Sequence, residues 1–258
     1  MKRILLPVAV GVLLLIAWEY LVVGLEIEEF VLPAPTAILA ALWQDLGSLF
    51  GALFYTFKVT LMALIAAILT GVPLAFAFSR SRTIEMAFFP YAVVLQVTPV
   101  IAIAPLILIW VGIDNVHLAV LIIAWIVAFF PILSATTMGL KSTDSGLKDL
   151  FDLYEVGPLK RFFRLELPGA MPYLLSGIKI SAGLALIGAV VAEFVAGSGG
   201  SNGLAWRIVE AGNRLQIPKM FAGLLLLSLL GIGQYYALTL LERLLLGDWH
   251  ESARGNGK

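Results

Sequence analysis

From Gly51 to Phe78 the chain reads GALFYTFKVTLMALIAAILTGVPLAFAF, with Lys58 as its one charge. A helix rises about 1.5 Å per residue, so a run of this length crosses the roughly 30 Å of a bilayer's hydrocarbon. The same reading applies to Ile4–Gly24, Ile84–Val111, Val116–Leu140, Tyr173–Ala196 and Met220–Leu241. The expected fold class is an all-α integral membrane protein with about six transmembrane helices. Composition agrees: charged residues make up 13% and apolar residues 60%, where a soluble domain carries about 25% charge. Mean hydropathy is +0.98. The opening MKRILLPVAVGVLLLIAWEYLVVGL has a basic start and a long apolar stretch but no small-residue cleavage site, so it reads as the first span and not as a signal peptide. Behind it, Glu26, Glu28, Glu29, Pro33 and Pro35 lead into a short amphipathic helix over Thr36–Leu49.

Chemistry is sparse. The chain has no cysteine, and His117 and His250 are its only histidines, which argues against disulfides, thiolate clusters and a histidine metal centre. No HExxH, GxSxG or GxxxxGK[ST] occurs. The Gly-rich run Gly197–Gly203 lacks a lysine and reads as a flexible loop, not a phosphate cradle. The expectation is no catalytic residue, no metal and no cofactor bound by this chain. The formal net charge of +0 says nothing about nucleic acid, but no Lys/Arg-rich run offers it a phosphate-binding surface. No chain of Asp, Glu and His crosses the spans, as a proton-driven carrier would usually show, which counts against a secondary transporter. Energy for uphill transport would have to come from a partner.

Six spans put both termini on one side. Lys2, Arg3, Arg80, Arg82, Lys141, Lys148, Lys160, Arg161, Arg164, Arg243, Arg254 and Lys258 fall on that side, against Arg207, Arg214 and Lys219 opposite. By the positive-inside rule both termini and the segment from Lys141 to Pro172 are cytoplasmic.

That segment is a polar island between two spans. Leu147, Leu150, Phe151, Tyr154, Leu159, Phe162 and Phe163 recur at helical spacing, interrupted at Gly157-Pro158, which predicts two short helices meeting at a bend. An apolar face flanked by Lys160, Arg161 and Arg164 suits a groove on a partner protein or a lipid headgroup layer. Asp149, Asp152, Glu155 and Glu166 weigh against anionic lipid. Within the spans, Gln96, Thr98 and the helix breakers Pro99 and Pro105 stand out in the third. They read as interhelical hydrogen-bond groups or as pathway lining. Small residues in the fifth (Gly177, Ser181, Gly183, Gly188, Ala189, Ala192) permit close packing at a bundle centre or a dimer seam. Glu193 and Lys58 lie at similar depth near the outer ends of their spans, which predicts an ion pair, either holding helices in register or serving a gate. Glu19 competes for Lys58.

The island resembles the cytoplasmic signature loop of bacterial ABC-importer permeases: EAA, three residues, G, nine residues, I, x, LP. With Leu167-Pro168 as anchor, Leu165 takes the Ile position, Glu155 the Gly position, and Asp149-Leu150-Phe151 the EAA position. The flanks FVLPAPTAILAAL, VTPVIAIAPLILIWVGI, LPGAMPYLLSGIKIS and ALIGAVVAEFVAG resemble the nitrate/sulfonate/taurine branch, and LQIPKMFAGLLLLSLLGI with the WHES tail is similar to members serving pyrimidine-like or thiamine-precursor solutes. The resemblance implies a type I ABC importer permease architecture with cytoplasmic coupling helices, as one permease domain over 1–258. Its parts would be a first span and periplasmic amphipathic segment at 1–50, a core at 51–245 with the coupling loop at 141–172, and a cytoplasmic tail at 246–258. Asp149, Leu150, Phe151, Tyr154, Glu155, Gly157, Pro158, Leu165, Leu167 and Pro168 would couple to an ATPase. Gln96, Thr98, Pro99, Glu193 and Lys58 would serve the pathway or its gate. The implied partners are a second copy of the chain, two cytoplasmic ABC ATPase subunits carrying ATP and Mg, and a periplasmic or lipid-anchored solute-binding protein, at a bacterial inner membrane. A membrane scaffold or a stand-alone carrier is the alternative.

Overall fold

A computed structural model describes residues 2–197 and 202–247, and the described residues are almost entirely helical. In chain order they form α1 (Lys2–Gly24), α2 (Pro35–Gln44), α3 (Leu46–Arg80), α4 (Arg82–Val97), α5 (Val100–Val111), α6 (Val116–Lys141), α7 (Ser145–Leu153), α8 (Pro158–Arg161), α9 (Leu167–Ala196), α10 (Leu204–Asn213) and α11 (Ile217–Leu246). Helix α8 runs through a π-turn at Phe162–Glu166 into α9, giving one helix over Pro158–Ala196. That helix, α1, α3, α6 and α11 are long and apolar enough to cross a membrane.

The third expected span is not one helix. Helices α4 and α5 meet at 101°, and together they supply the sixth crossing only if the bent pair counts as one. The break has a local cause. Pro99 has no N–H to continue the ladder, and its ring drives the preceding residue out of the helical region. Thr98 accordingly sits at φ −67°, ψ 125°. Pro73, Pro105, Pro131 and Pro172, by contrast, lie inside helices that continue past them.

The described residues divide into two compact units, Met1–Thr56 with Ser201–Leu230 and Phe57–Gly200 with Gly231–Lys258. In the first, Ile38, Leu49, Ala52, Leu204, Ala222 and Leu226 form the core, with Trp18 and Phe221 packed against it. The expected amphipathic helix is interrupted at Asp45, whose carboxylate accepts from Lys219 Nζ at 2.7 Å. Glu19 is committed to α2: its carboxylate accepts from Thr36 N at 3.1 Å and Thr36 Oγ1 at 2.7 Å, capping a helix that Pro35 begins. The expected competition of Glu19 for Lys58 is not seen, since neither joins an ion pair among the described residues. Helix α10 has no counterpart among the expected elements. Leu204, Ala205, Ile208 and Ala211 bury one face of it, and Thr56 Oγ1 accepts from the Leu204 amide at 2.9 Å.

The second unit is organised on α6 and α9, which pack along their lengths. Ala119, Val120, Ile123, Ala124, Ala128, Ile132 and Leu133 of α6 are fully buried. Contact is close because α9 brings small residues to it: Gly177, Ser181, Gly188, Ala189 and Ala192 are all buried. Ser181 Oγ donates to the Ala128 carbonyl at 2.7 Å, an interhelical bond with both groups buried. Gly183 departs from the expected stripe and is exposed, with nothing near the position a Cβ would take. Helix α5 packs against both α6 and α9, and α4 against α6.

Candidate functional site

The polar island bends at Gly157-Pro158, as its periodicity predicts, but only α7 is a separate short helix, since the segment after the bend runs on into α9. Asp144 opens α7 by accepting from the Leu147 amide at 2.9 Å. The helix closes on a Schellman turn, with Glu155 N donating to Asp152 O and Val156 N to Phe151 O, both at 3.0 Å. Such a turn needs a left-handed residue, and Glu155 supplies it at φ +49°. This gives a physical reason for a glycine at that position in the signature pattern: glycine meets no steric penalty there, whereas other L-residues do. Glu26 and Leu215 occupy the same left-handed region behind α1 and α10, with the same hydrogen-bond pattern. Gly157 then caps α8, with Pro158 in its first turn.

Leu167-Pro168 explains the π-turn. Pro168 lacks an N–H, and its ring would strike the carbonyl four residues earlier in a regular helix. The wider turn at Phe162–Glu166, where Leu167 N donates to Phe162 O, relieves that clash without ending the helix. The island is thus continuous with the span that follows it.

The turn also places Glu166, 3% exposed, among arginines. Arg80 Nη2, from the end of α3, donates to Glu166 Oε2 at 2.6 Å, and Arg161 Nε donates to Oε1 at 3.0 Å. Arg161 Nη1 also donates to Asp152 of α7, and Arg80 Nη2 lies 3.3 Å from the Pro158 carbonyl. The Arg80 guanidinium sits over the Phe76 ring, 5.0 Å from its centre. Asp152, Arg161, Glu166 and Arg80 therefore form a chain of charge from the short helix of the island into α3 and α9. None of the four is among the expected site residues, and their separation along the chain hides the link.

The remaining polar-island residues sort by exposure. Leu150 (45%), Leu153 (79%), Tyr154 (74%), Leu159 (67%) and Phe163 (59%) present a largely unburied apolar surface. Asp149, Glu155, Gly157 and Pro158 are exposed beside them, while Phe151, Leu165, Leu167 and Pro168 are half-buried. Leu167 packs against a core cluster that contains Phe78, Leu140 and Phe162. Leu153 belongs to the exposed face although it is not among the expected residues, and Phe151 turns partly inward.

The residues expected at a pathway are less coherent. Thr98 Oγ1 donates to the Val94 carbonyl at 2.6 Å, so its own helix satisfies it. Gln96 and Pro99 are exposed at the bend between α4 and α5. Glu193 is fully buried on α9. The Lys58–Glu193 pair does not form: Lys58 is exposed and takes part in none of the ion pairs among the described residues. Helical phase is the reason. Lys58 shares a face of α3 with Phe54, Leu61, Ile65 and Leu69, all exposed, whereas Val59, Ala63 and Ala67 point to the core. Lys179, for which the sequence suggests no partner, pairs with Glu242 across α9 and α11. Residues 198–201 of the expected flexible loop lie outside the described residues, as does the WHES tail.

Comparison with known proteins bears on this arrangement directly. The model for the binding-protein-dependent transport system inner membrane component matches residues 67–246. The chain is 31% identical to a probable ABC transporter permease protein of Haemophilus influenzae, over 92% of this chain and 94% of that one. It is 33% identical to a formylaminopyrimidine transport permease protein of Halalkalibacterium halodurans, over 93% and 94%. A putative aliphatic sulfonates transport permease protein of Bacillus subtilis is 30% identical, over 99% and 90%. The matched stretch contains the polar island, the charge chain beneath it and both core helices of the second unit, and the chain belongs to the binding-protein-dependent transport system inner membrane component family, as an ABC-transporter permease.

Proposed function

We propose that two copies of this chain form the membrane pathway of an importer for a small solute, driven by ATP that a separate cytoplasmic subunit binds with Mg and hydrolyses. A solute-binding protein on the opposite face delivers the solute. The chain itself holds no cofactor. One observation carries the docking assignment: an unburied apolar surface on a short helix outside the spans, anchored by ion pairs to two spanning helices. Leu150, Leu153 and Tyr154 enter a groove on the ATPase, and the turn at Glu155, Gly157 and Pro158 fixes the angle of entry. Motion of α7 then passes through Asp152 and Arg161 to Glu166 and Arg80, which moves the ends of α9 and α3 together. Two of the similar permeases are named for formylaminopyrimidine and aliphatic sulfonates. A nitrate- or sulfonate-like anion or a pyrimidine-like compound is the class of solute we assign. Both termini lie with the polar island on the cytoplasmic side, by the Lys/Arg asymmetry.

Burying a large apolar side chain is worth roughly 1.5–3 kcal/mol. Placing aspartate at Leu150 and Leu153 together should therefore cost the complex its ATPase in detergent pull-downs, at unchanged permease abundance, since both positions are exposed in the isolated chain. Native mass measurement of the wild-type complex should give two permeases to two ATPases. Full ATPase recovery by the double variant, or a complex with one permease, would sink the assignment.

The gate is the second part of the reading. Gln96, exposed beside the bend at Thr98-Pro99, faces the pathway once the second copy is present, and buried Glu193 sets the geometry of α9 near its far end. In vesicles holding the binding protein, Gln96→Ala should slow uptake and Glu193→Gln should raise the ATP hydrolysed per solute moved. Normal uptake and normal stoichiometry in both would return these residues to ordinary helix packing.

A further inference from the structure

A cavity of about 700 Å³ opens where the last turn of α3, the first turns of α4 and the end of α6 come together. Arg80, Arg82, Glu85 and Lys141 line its polar part, and Met86 and Phe89 its apolar part. Charge in the cavity is not balanced. Lys141 Nζ is held by both oxygens of Glu85 at 2.6 Å, which neutralises that pair. Arg80 gives Nη2 to Glu166, but its Nε is buried and has no hydrogen-bond partner. Arg82 is exposed and joins none of the ion pairs among the described residues. Arg82 is thus the one cation on this wall that stands outside the ion pairs of the described residues and is open to an anion.

Polarity is also ordered along the helix axis. Arg82 and Glu85 occupy the first turn of α4, and Met86 and Phe89 the next, about 6 Å further at 1.5 Å per residue. A ligand filling this space needs an anionic head at the level where the spans end and a hydrocarbon body one turn deeper. A phospholipid of the adjacent leaflet has that form, and basic pockets between spanning helices are where such headgroups bind.

We propose that this cavity is a site for the phosphate group of an anionic phospholipid, with Arg82 as its donor, Arg80 beside it, and Met86 and Phe89 against the start of an acyl chain. Arg80 belongs to the charge chain under the island as well, so a bound lipid touches the same side chain that links α3 to Glu166.

The test uses the complete transporter complex, purified from nanodiscs containing phosphatidylglycerol and phosphatidylcholine, with retained lipid read by native mass spectrometry. Wild type should retain phosphatidylglycerol in preference to phosphatidylcholine. Arg82→Ala should retain about fivefold less, the worth of one cation at the membrane surface, and Arg82→Lys should keep most of it. Arg82 is exposed and outside every ion pair named above, so folding is not at stake. Equal retention by wild type and Arg82→Ala, or no preference between the two lipids, would overturn the proposal. Inorganic phosphate added at millimolar concentration should leave the retained lipid in place. Displacement by phosphate alone would assign the site to a soluble anion and overturn the lipid. Retention is read without transport, so a failure here leaves the coupling assignment untouched.

Discussion

Truncating Glu166 to alanine should destabilise the permease by about 3 kcal/mol, visible as a lowered thermal unfolding midpoint and faster proteolysis of the polar island. Removing one member of a buried ion pair costs about 3–5 kcal/mol, because the partner charge stays behind without compensation. Here two partners would stay behind. The side chains of Arg80 and Arg161 are 23% and 20% exposed, so each can draw in some water, which argues for the lower end of that range. Glu166→Gln keeps the shape and two acceptor lone pairs but loses the charge, so its effect should be about half as large. Replacing Arg80, Glu166 and Arg161 together with Met, Leu and Met should recover most of the stability, since well-packed apolar substitutes for a buried ionic group are often neutral or better. If Glu166→Ala unfolded with the wild-type midpoint, the charge chain would not be part of what holds the island to the spans. If the triple apolar variant recovered both stability and solute uptake, the chain would be structural filling and not a link in coupling.

What is legible in the sequence depends on how far apart in the chain the relevant groups lie. Length and apolarity alone locate α3, α6 and α11 to within a few residues, because a bilayer demands about twenty apolar residues whatever the neighbours are. The bend at Gly157-Pro158 and the helix entering it are equally local. The break at Thr98-Pro99 is harder, since Pro73, Pro105, Pro131 and Pro172 bring the same ring and the same missing N–H to helices that continue past them. Helix α10 is short and amphipathic and lies in a polar stretch, so its buried face becomes evident only with Leu49 and Leu226 beside it. The expected Lys58–Glu193 pair follows from depth, but contact also requires matching helical phase, and counting in steps of 3.6 residues from exposed Phe54 and Leu61 turns Lys58 outward. The charge chain joins Arg80 to Glu166 across 86 residues, a distance at which no spacing rule operates.

The largest effect within the second unit should come from enlarging the glycines of α9 that face α6. A Cβ on Gly188 would lie 2.9 Å from the Ala124 Cα, and one on Gly177 would lie 2.8 Å from the Ala135 Cβ and 3.1 Å from the Pro131 carbonyl oxygen. These are contacts with backbone or with side chains that cannot move aside, so the helices themselves must separate. Overpacking a tight interior costs about 1–3 kcal/mol, against which alanine's helix preference over glycine returns at most about 1 kcal/mol. Gly188→Ala and Gly177→Ala should each be net destabilising, and Gly188→Leu should prevent assembly, because α6 and α9 would also lose the Ser181–Ala128 hydrogen bond as they part. Gly183 is the internal control: it lies on the same helix, a Cβ there meets nothing within 4 Å, and Gly183→Ala should be neutral or mildly stabilising. The three alanine variants, compared by thermal unfolding in one detergent, separate the two explanations for glycine in this span. Equal behaviour at 177, 183 and 188 would mean that glycine serves helix flexibility, whereas loss confined to 177 and 188 means that it sets the distance between the two helices on which the unit is built.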